Sequence, residues 1–164
     1  MKRLIYLCAT LLLLTACSEK EEVFYTARYG VERVEIAIGL TSESEEYDNL
    51  RAQITANALS EAPVEAGGYY LLDFSRFDGG ELYIFRTTGD EPLVGTFTKT
   101  PAASEMTFHY DDRSQVVTTE SYTDEQQMRY TVLCTDLTEY YRTMMQSEVI
   151  QSVVRYEYTD YLYY

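Results

Sequence analysis

The stretch Tyr69-Tyr70-Leu71-Leu72-Asp73-Phe74-Ser75-Arg76, then Phe77, then Asp78-Gly79-Gly80, then Glu81-Leu82-Tyr83-Ile84-Phe85-Arg86-Thr87 decides the fold. Two runs rich in aromatic and aliphatic residues flank a turn signal short enough for a tight hairpin. The pattern then repeats. Thr88-Gly89-Asp90-Glu91-Pro92 is a second turn, and residues 93–99, 105–110, 115–122, 127–135, 137–145 and 149–163 each read as a further strand. That makes about eight strands after residue 67. A parallel βαβ unit needs a crossover of a dozen or more residues, and these connections are too short for one. The expectation is a mostly β (α+β) fold, an antiparallel meander forming a small barrel or sandwich.

Upstream, residues 23–29 and 31–40 are rich in aromatic and β-branched residues and are divided by Gly30. They read as a pair of strands, the second with Val34, Ile36, Ile38 and Leu40 on one face and Arg33 and Glu35 on the other. Val31, Val34 and Ile38 also fit helical spacing. The convincing helix covers about residues 43–60. Ser42 and Glu45 have capping-box spacing, Tyr47, Leu50, Ile54 and Ala58 form one stripe, Glu46, Asn49, Gln53 and Asn57 lie opposite, and Pro63 ends it. Such a helix either plugs a barrel end or covers a sheet.

The N-terminus concerns address rather than fold. Lys2 and Arg3 precede an apolar run over residues 4–14 that only Thr10 interrupts, and Ser18-Glu19-Lys20-Glu21-Glu22 stops it. The run is shorter than the ~20 residues that a membrane span requires, and it reads as a secretory signal. It ends in Leu14-Thr15-Ala16-Cys17. This stretch resembles a bacterial lipobox. The resemblance to bacterial lipoproteins implies cleavage after Ala16 and lipid attachment (diacylglyceryl and an amide-linked acyl chain such as palmitate) at Cys17. Residues 1–16 are then a signal peptide, 17–22 an acidic tether and 23–164 a single β-rich domain. The alternative is a secreted protein cut near Ala16. Ser18 is not the aspartate of an inner-membrane retention signal. Residues 18–22 also resemble the Lys-plus-acidic export signal of surface lipoproteins in some anaerobic Gram-negative bacteria; the other reading is a solvated tether. The resemblance implies a bacterial cell envelope protein held at the outer membrane by its lipid, facing the cell surface if the export signal operates.

Without the signal, 148 residues remain, with 11 basic against 27 acidic side chains, a net charge of −16. Such a surface repels phosphate backbones and anionic headgroups, so nucleic acid is excluded as a partner and the membrane is met through lipid. Cys8 leaves with the signal and Cys17 takes lipid, so Cys134 has no intramolecular disulfide partner.

Four segments carry a second likeness: Gly80-Glu81-Leu82-Tyr83-Ile84-Phe85, Gly95-Thr96-Phe97, Met106-Thr107-Phe108 and Tyr130-Thr131-Val132-Leu133. In this order they resemble the lipocalin-like domains of small Gram-negative lipoproteins, over residues 67–164. The resemblance implies a barrel whose interior receives a small ligand. The competing expectation is an interior filled by Phe97, Met106, Phe108, Tyr110, Tyr130 and Met128.

Catalytic signals are sparse. His109 is the sole histidine and lies opposite Met106, Phe108 and Tyr110 under strand alternation, hence outward. Cys134 shares a face with Met128, Tyr130 and Val132 and reads as an inert buried thiol. Asp111-Asp112 and the acidic residues 43–46 lack the spacing of a calcium loop, and no nucleophile elbow, zinc-protease or phosphate-loop motif occurs. No catalytic, cofactor or metal residue is therefore expected. The tyrosines at 140–141 and 156–164 suit a strand with aromatics on both faces, or a stacking platform for glycan rings or a peptide. The expected function is a non-enzymatic binding or accessory module for a small ligand, glycan or peptide. The alternative is a structural or assembly lipoprotein that pairs with an envelope protein through its Tyr-rich edge; a hydrolase would need paired carboxylates converging in a cleft.

Overall fold

The structure, a computed structural model, describes residues 25–42, 45–99 and 104–163. The signal, Cys17, the tether and residues 43–44 lie outside them. Eight strands, β1 (Tyr25–Leu40), β2 (Tyr69–Arg76), β3 (Gly79–Phe85), β4 (Leu93–Lys99), β5 (Glu105–Tyr110), β6 (Arg113–Thr123), β7 (Arg129–Asp136) and β8 (Ile150–Tyr163), form a closed antiparallel barrel in chain order. The meander is thus a barrel and not a sandwich. Closure gives each strand two neighbours and removes the sheet edges that an open meander would expose.

Alternation fills the interior. Leu72 pairs with Leu82, Phe97 with Phe108 and Met106 with Val117, and all six are buried in one core with Tyr70, Phe74 and Leu133. Phe97, Met106, Phe108 and Tyr110 occupy the places expected of them. Tyr130 does not: it pairs with Tyr122 on the outer face, and Met128 precedes β7 and is 57% exposed.

The first hairpin turns on Phe77-Asp78, and the glycines open β3. The β2–β3 register shifts between Asp73 and Arg76, and a Cβ built on Gly80 would overlap the Asp73 carbonyl oxygen. Glycine is required there by backbone approach at a bulge, not by the turn itself.

Residues 25–40 form one strand, not two. Gly30 pairs with Tyr69 on one side and Asp160 on the other, so it divides nothing. The break in pattern lies one step on, at a register shift between Val31 and Arg33. Ala27, Tyr29 and Val31 face inward before it, and Val34, Ile36, Ile38 and Leu40 take the inner face after it. The bulge switches the alternation from odd to even while hydrogen bonding to β8 continues.

Beyond Gly30, β1 outruns β2, and β1 with the start of β8 forms a ribbon past the barrel. Two helices fill its inner side: α1 (Asp48–Ser60), after a 3-10 turn at Glu45–Tyr47, and α2 (Thr138–Met145). Ile54 and Ala58 of α1, Tyr141 of α2 and Leu40, Ile150 and Val153 of the ribbon make a second buried core, with Tyr47 and Leu50 packed against it. The stripe on α1 is therefore its packing face. Its capping box is not formed: the helix starts after Tyr47 with no side-chain cap.

The segment at 137–145 is a helix, not a strand, leaving seven strands after α1. The Asp136 carboxylate accepts the Thr138 N–H at 2.8 Å, which satisfies a donor of the first turn, and Gln146 ends the helix with a left-handed φ of 50°. Leu137, Tyr141 and Met145 then fall at i, i+4, i+8 on the second core. Among the described residues no helix is long and apolar enough to cross a membrane.

Ile54→Ala leaves a void where both helices meet the ribbon; it is expected to cost about 2–5 kcal/mol, read as a lower urea midpoint at unchanged slope.

Candidate functional site

Strand β8 alternates, so Val153, Arg155, Glu157 and Thr159 face inward and Val154, Tyr156 and Tyr158 face outward. A charged pair is thereby enclosed, with Arg155 and Glu157 each 2% exposed. Arg155 Nε lies 2.8 Å from Glu157 Oε1, and the Tyr70 hydroxyl donates to Glu157 Oε2 at 2.7 Å. The Arg155–Glu157 contact has the distance of an ion pair without the angles of a hydrogen bond, and Arg155 Nη2 has no hydrogen-bond partner. Burial raises the Glu157 pKa, while Arg155 and the Tyr70 hydroxyl draw it back. Burial and the neighbouring Glu157 push the Tyr70 phenol upward, which keeps it a donor.

The pair stands behind a seam in the barrel wall. Strand β6 pairs with β7 from Thr118–Cys134 to Thr123–Arg129, so residues 113–117 of β6 have no ladder to β7. Side chains bridge the gap instead. The Tyr110 hydroxyl donates to Gln115 Oε1 at 2.7 Å, and Gln115 Nε2 donates to Thr135 Oγ1 at 2.7 Å. Thr135 is the β7 residue that pairs with Arg155. An open cavity of about 870 Å³ lies over the seam, lined by Tyr110, Gln115, Thr135 and Arg155 together with the more apolar Val116, Leu137, Val154 and Tyr156. At its rim the Tyr140 hydroxyl donates to Glu61 at 3.1 Å, tying α2 to the end of α1. The cavity has the volume to seat a small molecule.

The residues considered from sequence are scattered. His109 faces outward, its Nδ1 2.8 Å from Ser114 Oγ. Cys134 pairs with Thr118, four residues along β6 from the partner of His109, so roughly 13 Å of strand separates them. Burial raises the Cys134 thiol to about 11, and the acidic Glu120 and Glu157 add to it. Asp111 and Asp112 are turn residues, with φ of 46° and 58° between β5 and β6. That is the backbone of a type I′ hairpin, whose left-handed positions Asp tolerates. Among the described residues no group of three or more His, Cys, Asp or Glu is placed to hold a metal.

The tyrosines of β8 divide between faces. Tyr161 packs against the barrel core with its ring 4.5 Å from that of Tyr29. Tyr156 and Tyr158 are half-buried outside. The outer groove of about 530 Å³ containing Tyr122, Tyr130 and Tyr158 is partly filled from within, because the Arg33 guanidinium sits 4.0 Å over the Tyr158 ring. Nor is β8 an edge strand over residues 154–159, where it is paired with both β1 and β7.

The Arg155–Glu157 pair was not legible in sequence. Residues 153–161 carry apolar or aromatic side chains in both alternation phases, and the phase holding Arg155 and Glu157 reads as the wet one. Thr135 and Thr159 are buried beside them.

Glu157→Leu alone leaves the Arg155 charge buried and unpaired and is expected to cost about 3–5 kcal/mol, whereas Arg155→Met with Glu157→Leu is expected to cost only about 1–3 kcal/mol, from the Tyr70 hydroxyl left without its acceptor, both read by urea denaturation. Because the folded state raises the Glu157 pKa above its unfolded value, the native protein holds the extra proton between the two values. Stability from this group is complete below the unfolded value and is lost as pH rises through the folded one. The same denaturation series at stepped pH should lose that slope in the double variant. The Cys134 thiol is expected to stay unmodified by a disulfide reagent at pH 8 until the protein unfolds; rapid labelling of the native chain contradicts its burial.

No family model, no curated protein and no solved structure matches the chain, so the site rests on its own geometry.

Proposed function

We propose that this protein is a lipid-anchored lipoprotein of the bacterial envelope, whose barrel is a non-enzymatic binding or accessory module for a small ligand. The anchor is supported by the coincidence of Lys2 and Arg3, the apolar run and Leu14-Thr15-Ala16-Cys17 at the N-terminus. A single acyl chain holds a protein reversibly, and the two or more chains of a lipoprotein make a lasting tether. The observation that carries the binding role is the open cavity of about 870 Å³ at the β6–β7 seam, where Val116, Leu137, Val154 and Tyr156 lie beside polar and charged residues that include Gln115, Thr135 and Arg155. Apolar surface with polar groups placed beside it is the usual makeup of a small-molecule site.

The lipocalin-like order of strand motifs is compatible with this role, although the ligand would enter through the seam beside α2 rather than occupy the packed barrel axis. A second reading, assembly through the Tyr-rich strand, is favoured by one observation: the ladder from β7 to β8 ends at Thr159, so residues 160–163 have β1 alone as a neighbour. Deleting 160–164 would then abolish capture of an envelope partner while the barrel still folds, at an unfolding midpoint lowered by the loss of Tyr161 from the core.

The anchor is tested by metabolic labelling with a palmitate analogue in a bacterial host. The wild type is expected in the detergent phase and labelled, and Cys17→Ala in the aqueous phase and unlabelled; equal labelling of both refutes the anchor. The binding role is tested by native mass spectrometry of the full chain released from its own envelope. A discrete co-purified small-molecule mass supports it, and a bare chain in repeated gentle preparations counts against it.

A further inference from the structure

One residue that lines the cavity carries a buried donor that the protein leaves unused. Arg155 is 2% exposed, it lines the cavity, and its Nη2 has no hydrogen-bond partner. A buried guanidinium N–H without an acceptor is costly, and a ligand that supplies one recovers that cost on binding. Resting on the binding role proposed above, we infer that the seam cavity takes a ligand with an apolar body and an uncharged carbonyl group, such as an amide, whose oxygen accepts from Arg155 Nη2.

Charge selects the uncharged acceptor over a carboxylate. Glu157 already stands 2.8 Å from Arg155 Nε, so the guanidinium charge is balanced before any ligand arrives. Glu61, Glu120 and Asp136 also line the cavity, against Arg113 and Arg155, so an incoming anion meets more negative than positive charge. An acceptor without charge meets the donor and avoids both penalties. The body of the ligand would lie on Val116, Leu137, Val154 and Tyr156, the apolar part of the lining. The Gln115–Thr135 hydrogen bond, which closes the seam where the ladder stops, is the contact that must yield for deeper entry.

The test uses the full chain in detergent and two probes with one skeleton, phenylacetamide and phenylacetate, followed by NMR titration. Phenylacetamide is expected to shift the Gln115 and Thr135 resonances and to bind at least tenfold more tightly than phenylacetate. Removing Arg155 alone leaves Glu157 buried and unpaired and endangers the fold, so the comparison variant replaces both, Arg155→Met with Glu157→Leu. This variant is expected to stay folded, at an unfolding midpoint lowered by the Tyr70 hydroxyl's lost acceptor, and to bind phenylacetamide at least tenfold more weakly. Unchanged amide binding in the double variant, preference for phenylacetate, or no binding of either probe each overturns the inference. Native mass spectrometry separates this failure from that of the binding role: a co-purified ligand retained equally by wild type and double variant leaves the cavity function standing and removes Arg155 from it.

Discussion

The ladder between β1 and β8 is the constraint on which the rest of the molecule depends. It closes the barrel, joining a strand near the start of the chain to its last one across more than a hundred residues of meander. Without it the remaining pairings are local hairpins, and the sheet would have two long edges. The ladder also carries both cores. Tyr29 and Val31 lie in the barrel core, and past the bulge Leu40 and Ile150 lie in the second core under the helices. One extra residue at the bulge makes this possible, because an unbroken period of two would have turned Val34, Ile36 and Ile38 outward.

The polar interior follows from the same register. Val34 stands opposite Glu157 and Ile36 opposite Arg155, so the closing ladder commits two charges to the inside. Enclosing them is costly in desolvation, and a packed apolar pair would serve stability as well or better. The pair sits where the wall is least complete, behind the stretch of β6 that has no ladder to β7. Polar side chains bridge that seam from Tyr110 through Gln115 to Thr135, next to Arg155. A fully apolar interior would leave these bridging groups without polar company. The buried charges and the open seam are thus one local arrangement.

The helices set the limits of that place. Segment 137–145 has a residue pattern that serves either a strand or a helix, since Tyr140-Tyr141 suits a sheet and Leu137, Tyr141 and Met145 suit a helical stripe. The Asp136 carboxylate at the Thr138 N–H and the apolar ribbon beneath decide for the helix. Had it been a strand, it would have competed with β8 for β7. As a helix it packs on the ribbon, with Tyr140 and Tyr141 both reaching Glu61 beyond α1. This brings Tyr140 and Leu137 to the rim of the cavity.

The sequence by itself determined the antiparallel meander, because the hairpin signals at Asp78-Gly79-Gly80 and residues 88–92 are local and the short connections exclude crossovers. It also determined the packing stripe of α1, the outward His109 and the inward Phe97, Met106 and Phe108, since each depends on a period of 3.6 or 2 that neighbouring residues display. Only the tertiary structure decided closure, the single bulged β1, the helix at 138–145 and the inward Arg155 and Glu157. Each depends on a partner distant in sequence: the phase of β8 is chosen by β1 and β7, where Tyr156 and Tyr158 would satisfy a core as readily as Val153 and Tyr161. Strand alternation places residues on two faces but carries no label for which face is the inside, and with aromatics on both faces of β8 that choice belongs to the closed barrel.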